Sequence, residues 1–129
     1  MRQFTNVITM QISEAEAQVM EVLWRSHPQS TEDIARALEG VQDWQLATIK
    51  TLLNRLLNKG ALSAEKDGRR FLYSPALSRE DWVAEQSSSL VDRLFDGSLA
   101  PLVAHFSARR KLKAAEIKAL KKIIEDYEK

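Results

Sequence analysis

The sequence has no cysteine, and only two histidines, three prolines and four glycines among its 129 residues. Without thiols there is no disulfide framework, no thiolate zinc site and no cysteine nucleophile. His27 and His105 stand far apart, and no paired-carboxylate, Ser/His/Asp or glycine-rich phosphate pattern accompanies them. The expectation is therefore a non-enzyme that uses no cofactor and no metal. No apolar run approaches the ~20 residues that span a bilayer. Residues 1–12 carry no basic segment followed by an unbroken apolar one, the pattern of a secretory leader. The expected setting is the bacterial cytoplasm, with no membrane partner. An excess of one charge is also missing. Nineteen Lys and Arg face 18 Asp and Glu, for a net charge of +1, which excludes a histone-like basic tail. The remaining composition, 44% apolar and 29% charged, is that of an ordinary globular chain.

Several helix and turn signals are present. Residues 1–11 read as a loose lead-in. Ser13 and Glu16 form a capping box, and Val19, Met20, Leu23 and Trp24 recur at helical spacing behind it. His27-Pro28 stops that helix, because the residue before proline disfavours helical geometry. Ser30 and Asp33 repeat the capping pattern ahead of Ile34, Ala35 and Leu38, with Gly40 just beyond. Asp43 is placed to cap a third helix that runs to Lys59 and closes at Gly60. Residues 61–66 and 69–74 are strand-like and flank Asp67-Gly68, which predicts a hairpin with a type I′ turn, ended by Pro75. Three further helices follow. One starts at Ser78 and Asp81 and ends at Gly97, one is capped by Ser98, and the last carries Ile117, Leu120, Ile123, Ile124 and Tyr127.

Helix, helix, helix, hairpin is the order of a winged helix-turn-helix. At about 100° per residue, Ile49, Leu52, Leu53, Leu56 and Leu57 of the third helix share one arc of roughly 140°. Thr48, Lys50, Thr51, Asn54, Arg55 and Asn58 fill the other side, and no acidic residue occurs between Trp44 and Ala64. Residues 1–43 hold three basic and seven acidic residues, net −4; residues 44–75 hold six and two, net +4. The near-neutral total thus hides a cationic patch of Lys50, Arg55, Lys59, Lys66, Arg69 and Arg70. Such a patch suits a polyanion, since neutralised phosphates release counterions. Threonine and asparagine suit base edges or phosphates, and arginine and lysine suit phosphates or guanine. A threonine can touch a thymine methyl or hydrogen-bond an acceptor; both readings stand. Trp44 also has two readings, a cover for the core or a contact to a sugar-phosphate backbone. A protein-interaction module whose basic face meets an acidic partner is the competing class, and a small-molecule ligand stays open.

The sequence resembles the penicillinase-repressor (BlaI/MecI-type) family of winged-helix transcriptional repressors. The likeness runs from Ile12 to about Tyr127. It rests on the segment Ile12 to Met20 with Leu23-Trp24, on Trp44 followed by Thr48 to Leu62, on Lys66 to Tyr73, and on Leu94 to Val103 with its Phe95-Asp-Gly-Ser98 core. It implies a homodimer on a palindromic double-stranded operator. Residues 1–76 would form the winged-helix DNA-binding domain and residues 77–129 a helical dimerisation domain. The recognition positions that carry over are Thr48, Lys50, Thr51 and Arg55, with Arg69 and Arg70 in the wing. Together with the cationic face, the expected DNA-binding set is Trp44, Thr48, Lys50, Thr51, Asn54, Arg55, Lys59, Arg69 and Arg70. The expected dimerisation set is Trp82, Leu90, Val91, Leu94, Phe95, Leu99, Leu102, Val103, Phe106, Ile117, Leu120 and Ile124. Sensor-linked relatives are relieved by proteolysis of an Asn-Phe bond, and the matching pair here is His105-Phe106, with histidine in place of asparagine. Copper-responsive relatives carry clustered cysteines near the carboxy terminus, and this chain has none. Some relatives also carry a basic residue where Ala47 stands.

Overall fold

The computed structural model describes residues 11–129, so the expected lead-in lies, apart from Gln11, outside the described residues. The chain divides into two compact units, the first ending at Glu85 and the second beginning at Gln86.

Among the described residues, the first unit opens with α1, Glu14–Arg25, and α2, Thr31–Leu38. Both begin with a complete capping box. Ser13 Oγ accepts from the Glu16 amide at 3.1 Å while Glu16 Oε1 accepts from the Ser13 amide at 2.8 Å; Ser30 and Asp33 repeat the exchange. Each box satisfies two amides that a helix start leaves unpaired. The third helix, α3, covers Leu46–Lys59 and closes on Gly60 in the left-handed conformation. It begins later than the sequence suggests. Asp43 does not cap it; Gln45 holds the N-cap position and makes no side-chain cap bond. Residues 42–45 instead run without helical structure, and Trp44 packs half-buried against the core. Burying that indole takes precedence over extending the helix by a turn.

The wing is an antiparallel pair, β1 (Leu62–Asp67) and β2 (Arg70–Pro75), in register from Leu62 opposite Pro75 to Asp67 opposite Arg70. The hairpin is confirmed, but its turn is one residue further on than the sequence suggests. Asp67 is the last strand residue and Gly68-Arg69 is the two-residue loop. Gly68 has φ +65° whereas Arg69 stays at negative φ. That is the requirement of a type II′ turn, with glycine first, and not of type I′. The Asp67–Arg70 ion pair across the turn, at 3.4 Å, accompanies the shifted register. Tyr73 of β2 exchanges both backbone hydrogen bonds with Gln29, which joins the α1–α2 loop to the sheet.

Val19, Met20 and Leu23 of α1, Ile34 and Leu38 of α2, and Ile49, Leu52, Leu53 and Leu56 of α3 form one core, closed by Leu62, Tyr73 and Leu77. Each fully buried aliphatic side chain contributes roughly 1.5–3 kcal/mol. The arc read from the sequence is the buried one, which forces residues 48, 50, 51, 54 and 55 outward.

Helix α4, Arg79–Phe95, begins in the first unit, where Trp82 stacks on Trp24 with ring centroids 5.5 Å apart and Trp24 Nε1 donates to the Leu77 carbonyl at 2.8 Å. The second unit holds the rest of α4, then α5, Leu99–Arg109, and α6, Ala114–Glu128. Ser98 occupies the N-cap of α5 without a side-chain cap bond. None of α4, α5 and α6 contains a buried residue.

Candidate nucleic-acid interface

The outer face of α3 is exposed at Thr48, Lys50, Thr51, Asn54 and Arg55. The helix has no acidic residue. Among the described residues Lys50, Arg55 and Arg69 enter no ion pair. No carboxylate forms an ion pair with them, which leaves their charge available to a phosphate.

The wing lies against this face. Lys50 and Asn54 of α3 line one cleft with Arg69, Arg70 and Phe71 of the wing, and with Thr31 and Glu32 at the start of α2. Four residues expected at DNA from the sequence are thus brought together by the antiparallel wing. The wing is held there by Tyr73, which is buried and tied to Gln29. Phe71 was not anticipated at this cleft. It is 49% exposed, and the strand alternation that buries Tyr73 puts it on the same side of β2. A second aromatic two residues before Tyr73, on the same strand face, was the available signal.

Two expected residues sit differently. Trp44 packs on the core. Lys59, at the last position of α3, directs its ammonium to Glu16 Oε1 and to the Gln11 carbonyl, each at 2.5 Å. Glu16 is 1% exposed. Burial pushes its carboxyl up, but the Lys59 ammonium and the Ser13 amide and hydroxyl outweigh burial and hold it below its ordinary value. Lys59 thus ties the end of α3 to the start of α1.

In the second unit, Leu94 (61% exposed), Leu99 (63%) and Ile124 (58%) are open to solvent. Leu90, Phe106 and Ile117 are also exposed, while Val91, Phe95, Leu102, Val103 and Leu120 are half-buried. Trp82, grouped with these residues in the sequence, is placed on Trp24 in the first unit. His105 lies between Phe95 and Phe106, at 6.4 and 6.1 Å between ring centroids, and both residues of the His105-Phe106 pair are exposed on α5. No helix among the described residues is long and apolar enough to cross a membrane.

Among the described residues of the first unit, three helices, a two-stranded wing closed on the first of them, and a third helix whose Lys50 and Arg55 enter no ion pair define a winged helix-turn-helix protein. Residues 12–126 match the family profile described as "Penicillinase repressor". The penicillinase repressor of Bacillus licheniformis is 36% identical over 91% of this chain and 91% of its own length. The methicillin resistance regulatory protein MecI of Staphylococcus aureus is 30% identical over 90% of this chain and 94% of its own. The solution structure of the DNA binding domain of the repressor BlaI is 40% identical, with a TM-score of 0.52 over 56% of this chain and 88% of that one. The chain belongs to the penicillinase repressor family, and with it to the winged-helix transcriptional repressors.

Proposed function

We propose that this chain represses transcription by binding double-stranded operator DNA as a homodimer in the cytoplasm, one winged unit on each half of a palindrome. The observation that carries the reading is the cleft shared by Lys50, Asn54, Arg69 and Arg70, beside an α3 face with no acidic residue. Residues 46–55 enter the major groove, which admits one α-helix. Arg55, Arg69 and Arg70 engage phosphates and set orientation; the more central α3 residues meet base edges. A single module of this size binds weakly at physiological salt. Joining two makes the second docking intramolecular and raises avidity without new contacts. The unburied apolar side chains of α4, α5 and α6 support a second copy of this chain as the partner. Relief of repression by a sensor-linked protease would occur at His105-Phe106, two residues exposed on α5.

Gel mobility shifts on duplex DNA across a salt series test the reading. About eight neutralised phosphates per dimer give a slope of log affinity against log salt near −7. A slope near zero, or no shifted band on genomic fragments, overturns it in favour of an acidic protein partner.

A further inference from the structure

The first turns of α3 combine cationic borders with an apolar strip. Leu46 is 40% exposed, and Ala47 and Thr51 are both exposed. Positions 47 and 51 are four apart and so follow one another on one stripe of the helix. Thr51 Oγ1 donates to the Ala47 carbonyl at 3.0 Å, which commits its only hydroxyl proton to the helix backbone. The tetrahedral Cβ then holds the γ-methyl away from that carbonyl. The stripe presents the Ala47 methyl, the Thr51 methyl and, beside them, the Leu46 side chain. Lys50 and Arg55 on the same helix, and Arg69 and Arg70 in the wing, supply the positive surround. A strip of this kind fits a surface with anionic rims and methyl groups on its floor. In the major groove the apolar feature of the base edges is the C5-methyl of thymine.

We propose that Ala47 and Thr51, flanked by Leu46, select thymine by packing on its methyl group, and that the Thr51 hydroxyl donates no hydrogen bond to a base. The inference rests on the DNA-binding reading above. It separates the two roles open to Thr51, because a donor already committed within the helix leaves the methyl as the group offered outward.

The test starts from duplexes selected by the full chain from a random-sequence library. Each thymine of a selected duplex is then replaced in turn by deoxyuridine, which removes only the methyl. The expected result is a loss of roughly four-fold at one or two positions in each half-site, the scale of one apolar carbon removed from water. Thr51→Ser keeps the hydroxyl and loses the methyl; it should show the same loss on the thymine duplex and become insensitive to deoxyuridine at one of those positions. Thr51→Val keeps a methyl without the hydroxyl and should bind like the parent. The deoxyuridine series on the parent protein involves no protein variant, so it holds whatever the variants do. If deoxyuridine is neutral everywhere, or Thr51→Val loses as much as Thr51→Ala while Thr51→Ser does not, the methyl reading is wrong and DNA binding stands. If the library yields no enriched duplex, the DNA-binding reading itself falls, and this inference falls with it.

Discussion

Glu16 shows how one side chain can serve several elements. Its carboxylate caps α1 through the Ser13 amide and receives the Lys59 ammonium from the far end of α3, while being almost wholly shielded from water. A shielded carboxylate is tolerable only when its acceptors are filled. Lys59 remains about one-third exposed, so it can be solvated when its partner is removed. Glu16→Gln should therefore cost a moderate amount, about 1–2 kcal/mol in urea denaturation, from a lost charge-assisted bond and a weakened cap. The pH dependence has a definite sign. The folded carboxyl lies below the ordinary value of 4.5, so its stabilisation is complete above that value and is lost as pH falls through the lower, folded one. Asp33 behaves likewise from its ordinary 3.8, held down by the Ser30 amide and then by Arg36. Urea midpoints should stay flat on this account from neutrality to about pH 5 and decline below it. Glu16→Gln should show a shallower acid decline than the parent; an identical profile would mean that the Glu16 pair carries no linkage.

At the scale of the element, the wing depends on its turn. Gly68 has φ +65°, and a Cβ added there meets nothing within 4 Å. The penalty of Gly68→Ala is thus the left-handed backbone alone, about 1–2 kcal/mol. Chemical denaturation should show that loss, and mobility shifts should show weaker DNA binding as well, since the hairpin positions Arg69 and Arg70 beside Lys50. Unchanged affinity despite the lost stability would remove the wing from the interface. The hairpin also marks where sequence reasoning stops. Asp-Gly located the turn to within one residue, but cross-strand pairing, including Asp67 with Arg70, chose which residues occupy it. The buried arc of α3 and both capping boxes were legible because periodicity and caps are local properties. The late start of α3 was not, because it follows from Trp44 packing on a core assembled from distant segments. The Gln29–Tyr73 bridge is non-local in the same way, and Lys59 looked like a free cation because its partner lies 43 residues away.

At the scale of the whole molecule, charge and apolar surface are segregated along the chain. The cationic residues of α3 and the wing belong to a unit with a closed core, whereas α4, α5 and α6 contain no buried residue. Isolated short helices are marginal in water, and they gain most of their stability by burying an apolar face. Leu94, Leu99, Ile123 and Ile124 are each more than half exposed, and two copies of one chain meeting through the same surface would cover them by two-fold symmetry. Sedimentation equilibrium at micromolar concentration should therefore give twice the chain mass of 14.7 kDa. Replacing Leu99 and Ile124 together by glutamate places charge in that surface and should return a monomer. The core of the first unit contains neither residue, so its near-ultraviolet signal from Trp24 and Trp82 should persist. Affinity for a full palindromic site should then fall by about 10²-fold or more, to the level of a half-site, because the avidity of joined modules is gone. A double variant that sediments as a monomer yet binds the palindrome like the parent would show that the winged units act independently and that the proposed dimer does not set affinity.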